Sequence, residues 1–218
     1  ASGTASGLTL NLGTSETFSK LTTTSDIGSS SFTLKSGGSF DGFSGAGNTL
    51  DVDGATINNP SKATLSPFTD VTFSSGTVTG NLDFTGQDST GTTPAKNITI
   101  LADGVDPSST VTLPASSKVV LTSGVTTLPK FTASNSTFEL GTSSDNAYSG
   151  ASPSITGSGN TLHIKNTLSS PVERSYSFGK AFPFNFISSD TTDVSGLSLT
   201  IGSGYSVPQG SVAIPQFA

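Results

Sequence analysis

Residues 63–121 read ATLSPFTDVTFSSGTVTGNLDFTGQDSTGTTPAKNITILADGVDPSSTVTLPASSKVVL, and this stretch decides the class of fold. Short runs in which apolar residues alternate with Thr, Ser or Asp recur at 63–65, 71–73, 77–79, 82–84, 98–100, 111–113 and 119–121. Alternation with β-branched residues is the pattern of a strand with one buried face. Gly, Ser, Asp and Pro clusters between the runs supply turns. A β-sandwich or jelly roll is the alternative, but its strands usually hold five or more residues at a spacing of about 8–12. Runs of three or four residues fit the rungs of a β-solenoid better. No stretch keeps a helical 3.6-residue period over about 11 residues, so the expectation is an all-β solenoid with almost no helix.

Composition narrows the function classes. The 218 residues are 32% hydrophobic and 11% charged, and 74 are Ser or Thr. Low charge with low hydrophobicity is a mark of disorder, but the 14 Phe and the regular alternation point to a packed core. Net charge is -6, and the nine basic residues are scattered. That distribution lacks the basic patch that nucleic acid or an anionic membrane surface requires. There is no Cys and no Met, which excludes disulfides and thiolate chemistry. The missing Met leads us to expect a processed chain or an internal piece, with signal-peptide removal as one cause. No apolar run approaches the ~20 residues of a membrane span. Together these features suggest a secreted protein of the cell surface.

Three regions are expected. Residues 1–12 form a flexible start leading into Leu8, Leu10 and Leu12, three Leu on one strand face. This strand has two readings: the first strand of the domain, or a strand donated to a neighbouring subunit. Residues 13–170 form the solenoid body, with a further strand expected at 125–128. Residues 171–218 form an aromatic closing or capping segment that holds the only Arg, Arg174, and ends in short runs at 205–207 and 211–214. There Phe182, Phe184 and Phe186 alternate on one face, as core or as a patch buried against another subunit.

Residues with chemical potential are sparse. His163, the only His, alternates with Leu162 and Ile164 and is expected to point outward. Asp51 and Asp53 before Gly54, and Asp103 and Asp106, are weak calcium candidates, because hard cations take carboxylate oxygens. Neither loop carries the full ligand spacing of an EF-hand, so the expectation is no metal and no cofactor, with these Asp in turns. A glycosidase pair such as Asp51/Asp53 or Asp83/Asp88 would lack aromatic sugar platforms, since there is no Trp and only three Tyr. No Gly-x-Ser-x-Gly elbow accompanies His163, and the expectation is that the chain is not an enzyme. Asn97 and Asn135 match the N-glycosylation acceptor pattern.

One phrase occurs twice, 112 residues apart: FSGAGNTLDV at 43–52 and ITGSGNTLHI at 155–164. It reads as a turn with positive-φ glycine followed by a short strand. No exact period of 20–30 residues runs through the chain. The Gly-x-Gly-Asn-Thr-Leu phrase and the Ser/Thr/Gly/Asn texture resemble passenger domains of bacterial autotransporters and related surface adhesins. That resemblance implies a right-handed parallel β-helix displayed outside a bacterial cell, and it carries over no catalytic residues. The function expected is an extracellular structural or adhesive protein that self-assembles into fibres or filaments. The alternatives are a glycan- or receptor-binding adhesin or phage-fibre module, and an ice-binding solenoid.

Overall fold

The computed structural model describes residues 5–13, 17–18, 26–40, 43–101, 104–122, 125, 127–140, 154–157, 159–164, 174–178, 184–186 and 197–201. Its strands succeed one another in coils. The first three coils hold β1 (Ala5–Ser6), β2 (Thr9–Leu12) and β3 (Thr17–Phe18), then β4 (Ile27–Gly28), β5 (Ser31–Lys35) and β6 (Ser39–Phe40), then β7 (Gly45–Ala46), β8 (Asn48–Asp53) and β9 (Thr56–Asn58). The fourth begins with a single helical turn, α1 (Lys62–Leu65), and continues as β10 (Phe68–Phe73), β11 (Thr77–Thr79) and β12 (Asn81–Asp83). The next three hold β13 (Asn97–Ile100) and β14 (Thr110–Thr112), β15 (Lys118–Leu121) and β16 (Lys130–Thr132), and β17 (Thr137–Leu140) and β18 (Ser154–Thr156). The last strands are β19 (Asn160–Ile164), β20 (Arg174–Phe178), β21 (Phe184–Phe186) and β22 (Leu197–Ile201).

Every strand pairing is parallel, and the architecture is a β-solenoid. Nine strands form the central sheet in the order β2-β5-β8-β10-β13-β15-β17-β19-β21. A second wall stacks β12-β14-β16-β18, and smaller ladders complete the coils. Register explains why no fixed period is visible. Thr9 lies opposite Ser31, 22 residues on; Ser31 lies opposite Thr49, 18 on; Asp70 lies opposite Asn97, 27 on. Coil length varies because the loops absorb it, while the paired strands stay in line.

The core is two stacks of apolar side chains from the central sheet, closed by the opposite walls. Leu10, Phe32, Leu50, Val71, Ile98, Val119 and Phe138 follow one another in register, as do Leu12, Leu34, Val52, Phe73, Ile100 and Leu121. Leu82, Val111, Phe131 and Ile155 face them from the second wall, all buried. Phe32, Phe43 and Phe68 form an aromatic nest, with Phe32 stacked on Phe43 at 4.9 Å and Phe68 edge-on at 5.6 Å from each. Each buried Phe contributes about 1.5–3 kcal/mol of transfer free energy.

A polar column runs beside this core, at the corner where each coil enters the central sheet. Leu8 N donates to Ser30 Oγ at 3.1 Å, and Ser30 N to Asn48 Oδ1 at 3.0 Å. Further along, Lys96 N donates to Ser117 Oγ at 3.0 Å, Ser117 N to Ser136 Oγ at 3.2 Å, and Ser136 N to Asn160 Oδ1 at 3.1 Å. The residue just before the corner has positive φ in six coils: Gly7, Ser29, Gly47, Ser116, Asn135 and Gly159. In four of them, after Gly7, Ser29, Ser116 and Asn135, the next backbone N–H is presented to a side chain of the neighbouring coil. Ser30, Asn48, Ser117, Ser136 and Asn160 are all at most 2% exposed, and apart from the half-buried bond from Leu8 these bonds satisfy donors that water cannot reach.

The duplicated phrase is the fullest form of this corner. Asn48 Nδ2 donates to Ile27 O at 2.7 Å and Asn160 Nδ2 to Ala133 O at 2.9 Å. A Cβ on Gly45 or Gly157 would collide with that same carbonyl oxygen. The first Gly therefore admits the Asn amide, the second supplies the left-handed turn, and Asn bridges two coils. The positive φ expected from the sequence is found at Gly47, Gly157 and Gly159, while Gly45 serves by lacking a side chain.

Three expectations are corrected. The run at 63–65 is helical, because Ser61 caps it, its Oγ accepting from Thr64 N at 3.2 Å. Residues 5–6 in the flexible start form β1, paired with β4. Val125, Thr127 and Leu128 carry no strand. The runs expected at 205–207 and 211–214 lie outside the described residues.

Asn48→Ala is expected to orphan Ser30 N–H. At about 1–3 kcal/mol for a buried unmet group, the loss of stability is about 1–3 kcal/mol. Thr49→Ala, on the exposed face of the same strand, is expected to cost less than ~0.5 kcal/mol. Urea unfolding of both variants decides; equal midpoints would show that the corner contributes nothing.

Candidate functional site

Among the described residues the corner column is interrupted once. In the fourth coil Pro67 occupies the position and has no N–H to offer, and β10 shifts register by one residue between Phe68 and Asp70. Pro67 O instead accepts from Asn48 N at 3.2 Å. The next coil places Lys96, a side chain with donors only, where the neighbours carry Ser or Asn. Its Nζ donates to Ser66 O at 3.2 Å and Phe68 O at 2.6 Å, the carbonyls flanking Pro67. Lys96 is fully buried. Burial holds its pKa below the usual lysine value of 10.5, and the nearby Asp88 carboxylate offsets part of that.

Beside this interruption lies an open crevice of about 480 Å³. Phe43 and Ser44 enter it from the third coil, Ser61 and Thr64 from α1 and its cap, and Gln87 and Asp88 from the loop after β12. The walls are fixed. Lys62 Nζ lies 3.5 Å from Asp83 Oδ2, tying α1 to β12. Ser89 N donates to Gly45 O at 3.0 Å, tying the loop to the third coil. Asp88 Oδ1 accepts from Thr90 N at 2.8 Å and Thr90 Oγ1 at 2.6 Å. Partial burial pushes the Asp88 carboxyl up, but these bonds and those from Thr92 outweigh it and hold the pKa below 3.8.

The residues singled out from the sequence do not converge on this place. Leu8, 38% exposed, Leu10, half-buried, and Leu12, buried, lie on the first coil, where β2 pairs with β5 of its own chain. Phe184 and Phe186 belong to β21, opposite Asn160 and Leu162; Phe182 lies outside the described residues. Asp51 accepts from Ser74 Oγ at 2.6 Å, and Asp53 accepts from Ser75 Oγ at 3.0 Å with Lys35 Nζ at 3.7 Å. Asp106 caps its own turn through Ser108 N and Oγ at 2.8 and 2.5 Å. Asp103 lies outside the described residues, and among the described residues no three His, Cys, Asp or Glu side chains gather as metal ligands. His163 stands opposite Glu139 in the register, and Glu139 pairs with Lys118 at 2.8 Å. Asn97 is exposed and donates to Asp70 Oδ1 at 2.9 Å; Asn135 is exposed at a left-handed corner.

Sequence reading missed the crevice and Lys96. One local signal was present, Pro60-Ser61 followed by Thr64, which is a helix-cap pattern. Set against family models, curated proteins and solved structures, the chain finds no match in any of the three.

The lowered pKa of Lys96 has a definite consequence. Unfolded chains hold the Lys96 proton up to about pH 10.5, whereas the folded chain releases it earlier. Stability is expected to rise with pH between those two points. Lys96→Met removes this rise, so parent and variant are expected to diverge in their alkaline unfolding profiles. Superimposable pH slopes would contradict the burial of the ammonium.

Proposed function

We propose that this chain is a structural element of an extracellular surface fibre, built by head-to-tail association of solenoids. The observation that supports it is the central sheet. Its pairings are all parallel, and among the described residues β2 and β21 each have a partner on one side only. An unpaired edge is a template for another strand. Continuing the register past β21 by one copy would set Leu8 of the next chain beside Phe184, and Leu10 beside Phe186. Both corner positions, Leu8 and Phe184, carry an apolar residue, where the inner coils other than that of Pro67 carry Ser, Asn or Lys. A contact of this kind does not close on itself and so propagates.

The low charge, the absence of Cys and the Ser/Thr-rich surface accord with an exported, cell-surface location. No catalysis is assigned. An ice-binding role is disfavoured by the outward column of the central sheet, where Asp70, Asn97 and Lys118 interrupt Thr9, Ser31 and Thr49.

Negative-stain microscopy and light scattering at rising concentration test the reading. Filaments are expected from the parent. Leu10→Asp, which places a charge at the open end of the inner stack, is expected to give soluble monomer with an unchanged β-type circular dichroism spectrum. A parent chain that stays monomeric at high concentration overturns the proposal.

A further inference from the structure

We propose that the crevice beside α1 is a binding site for one neutral sugar residue. This goes beyond the fibre reading and does not depend on it. The crevice lies at the coil where Pro67 and the register shift interrupt the corner column, alone among those described, and where the loop after β12 gives the longest spacing of the central register.

Its chemistry selects the ligand. About 480 Å³ suits a small molecule. Ser44, Ser61, Thr64, Gln87 and Asp88 line it, the Ser61 and Thr64 hydroxyls bonded to each other at 2.7 Å, with the nearly buried Phe43 as the apolar part. Asp88 Oδ1 is occupied by its own turn, while Oδ2 has only a 3.4 Å contact from Thr92 Oγ1 and retains acceptor capacity. The Lys96 ammonium lies behind the Ser66 wall and has three hydrogens but two carbonyl acceptors. Among the described residues the third hydrogen has no acceptor. A carboxylate and an ammonium so placed offset each other, so the crevice favours neither an anion nor a cation. Groups that both donate and accept, spaced along a compact ring with an apolar face, satisfy such a lining; that is the description of a sugar.

The test is saturation-transfer NMR on the full chain with methyl glycosides of glucose, galactose, mannose, fucose and N-acetylglucosamine at millimolar concentration. Because the method observes the small molecule, it works for monomer and filament alike, and its outcome is separable from that of the assembly test. At least one glycoside is expected to give a saturable signal. Asp88→Asn is expected to weaken it about tenfold or more, by loss of a charged acceptor. Because Asp88→Asn also disturbs its own turn, Gln87→Ala, at an exposed position outside that turn, is read beside it and is expected to weaken binding several-fold with unchanged melting temperature. Asp106→Asn, an equivalent turn elsewhere, is expected to leave binding unchanged. Absence of signal from every glycoside, or equal signal from parent, Asp88→Asn and Gln87→Ala, overturns the proposal.

Discussion

At the corners of the inner coils, apart from the fourth where Pro67 stands, a backbone N–H buried from water has to find an acceptor in the neighbouring coil. Strand ladders cannot supply one there, because the chain is turning. The answer in five of the described coils is a buried Ser or Asn, preceded by a left-handed residue and pointed along the axis. An unmet donor at any of these places costs about 1–3 kcal/mol. The strand register is held by this column as much as by the apolar stacks. Apolar packing tolerates Phe32 beside Leu50 or Val71 beside Ile98, whereas a hydrogen bond at 3.0 Å fixes one coil's height against the next.

Where the column fails, the local chemistry changes sign. Pro67 offers carbonyl and no N–H, and the residue recruited in the next coil is a pure donor, Lys96. Burying that ammonium is unfavourable, and its lowered pKa records the cost. The same coil carries α1, set by the Ser61 cap, and the long loop after β12, and both line the crevice. Structure and candidate site meet at the described coil whose corner residue, Pro67, cannot donate.

The strand class was legible because it rests on nearest-neighbour alternation, as in Val71-Thr72-Phe73 or Ile98-Thr99-Ile100. The two Gly-x-Gly-Asn phrases were legible as turns, but their role was not, since it depends on a carbonyl in another coil. Ser30, Ser117 and Ser136 do the same work without any such phrase, and they read as ordinary Ser among many. Coil length gave no help, because loops vary it between 18 and 27 residues. Ala63-Thr64-Leu65 alternates like a strand, yet the cap from Ser61 decides it as helix. Lys96 carries no local signal; only the register puts it in the column.

For function, the account joins a rigid parallel body to two ends and one irregular coil. Assembly belongs to the ends and recognition to the irregular coil, while the corner column keeps both in place. Amide hydrogen exchange of Ser30, Lys96, Ser117 and Ser136, followed by NMR on the monomeric Leu10→Asp chain, tests this centre most directly. If the corner column holds the coils together, these four amides exchange only through global unfolding, as slowly as the central strand amides of Ile98 and Val119. Exchange at the rate of open turns, while Ile98 and Val119 remain protected, would contradict the account.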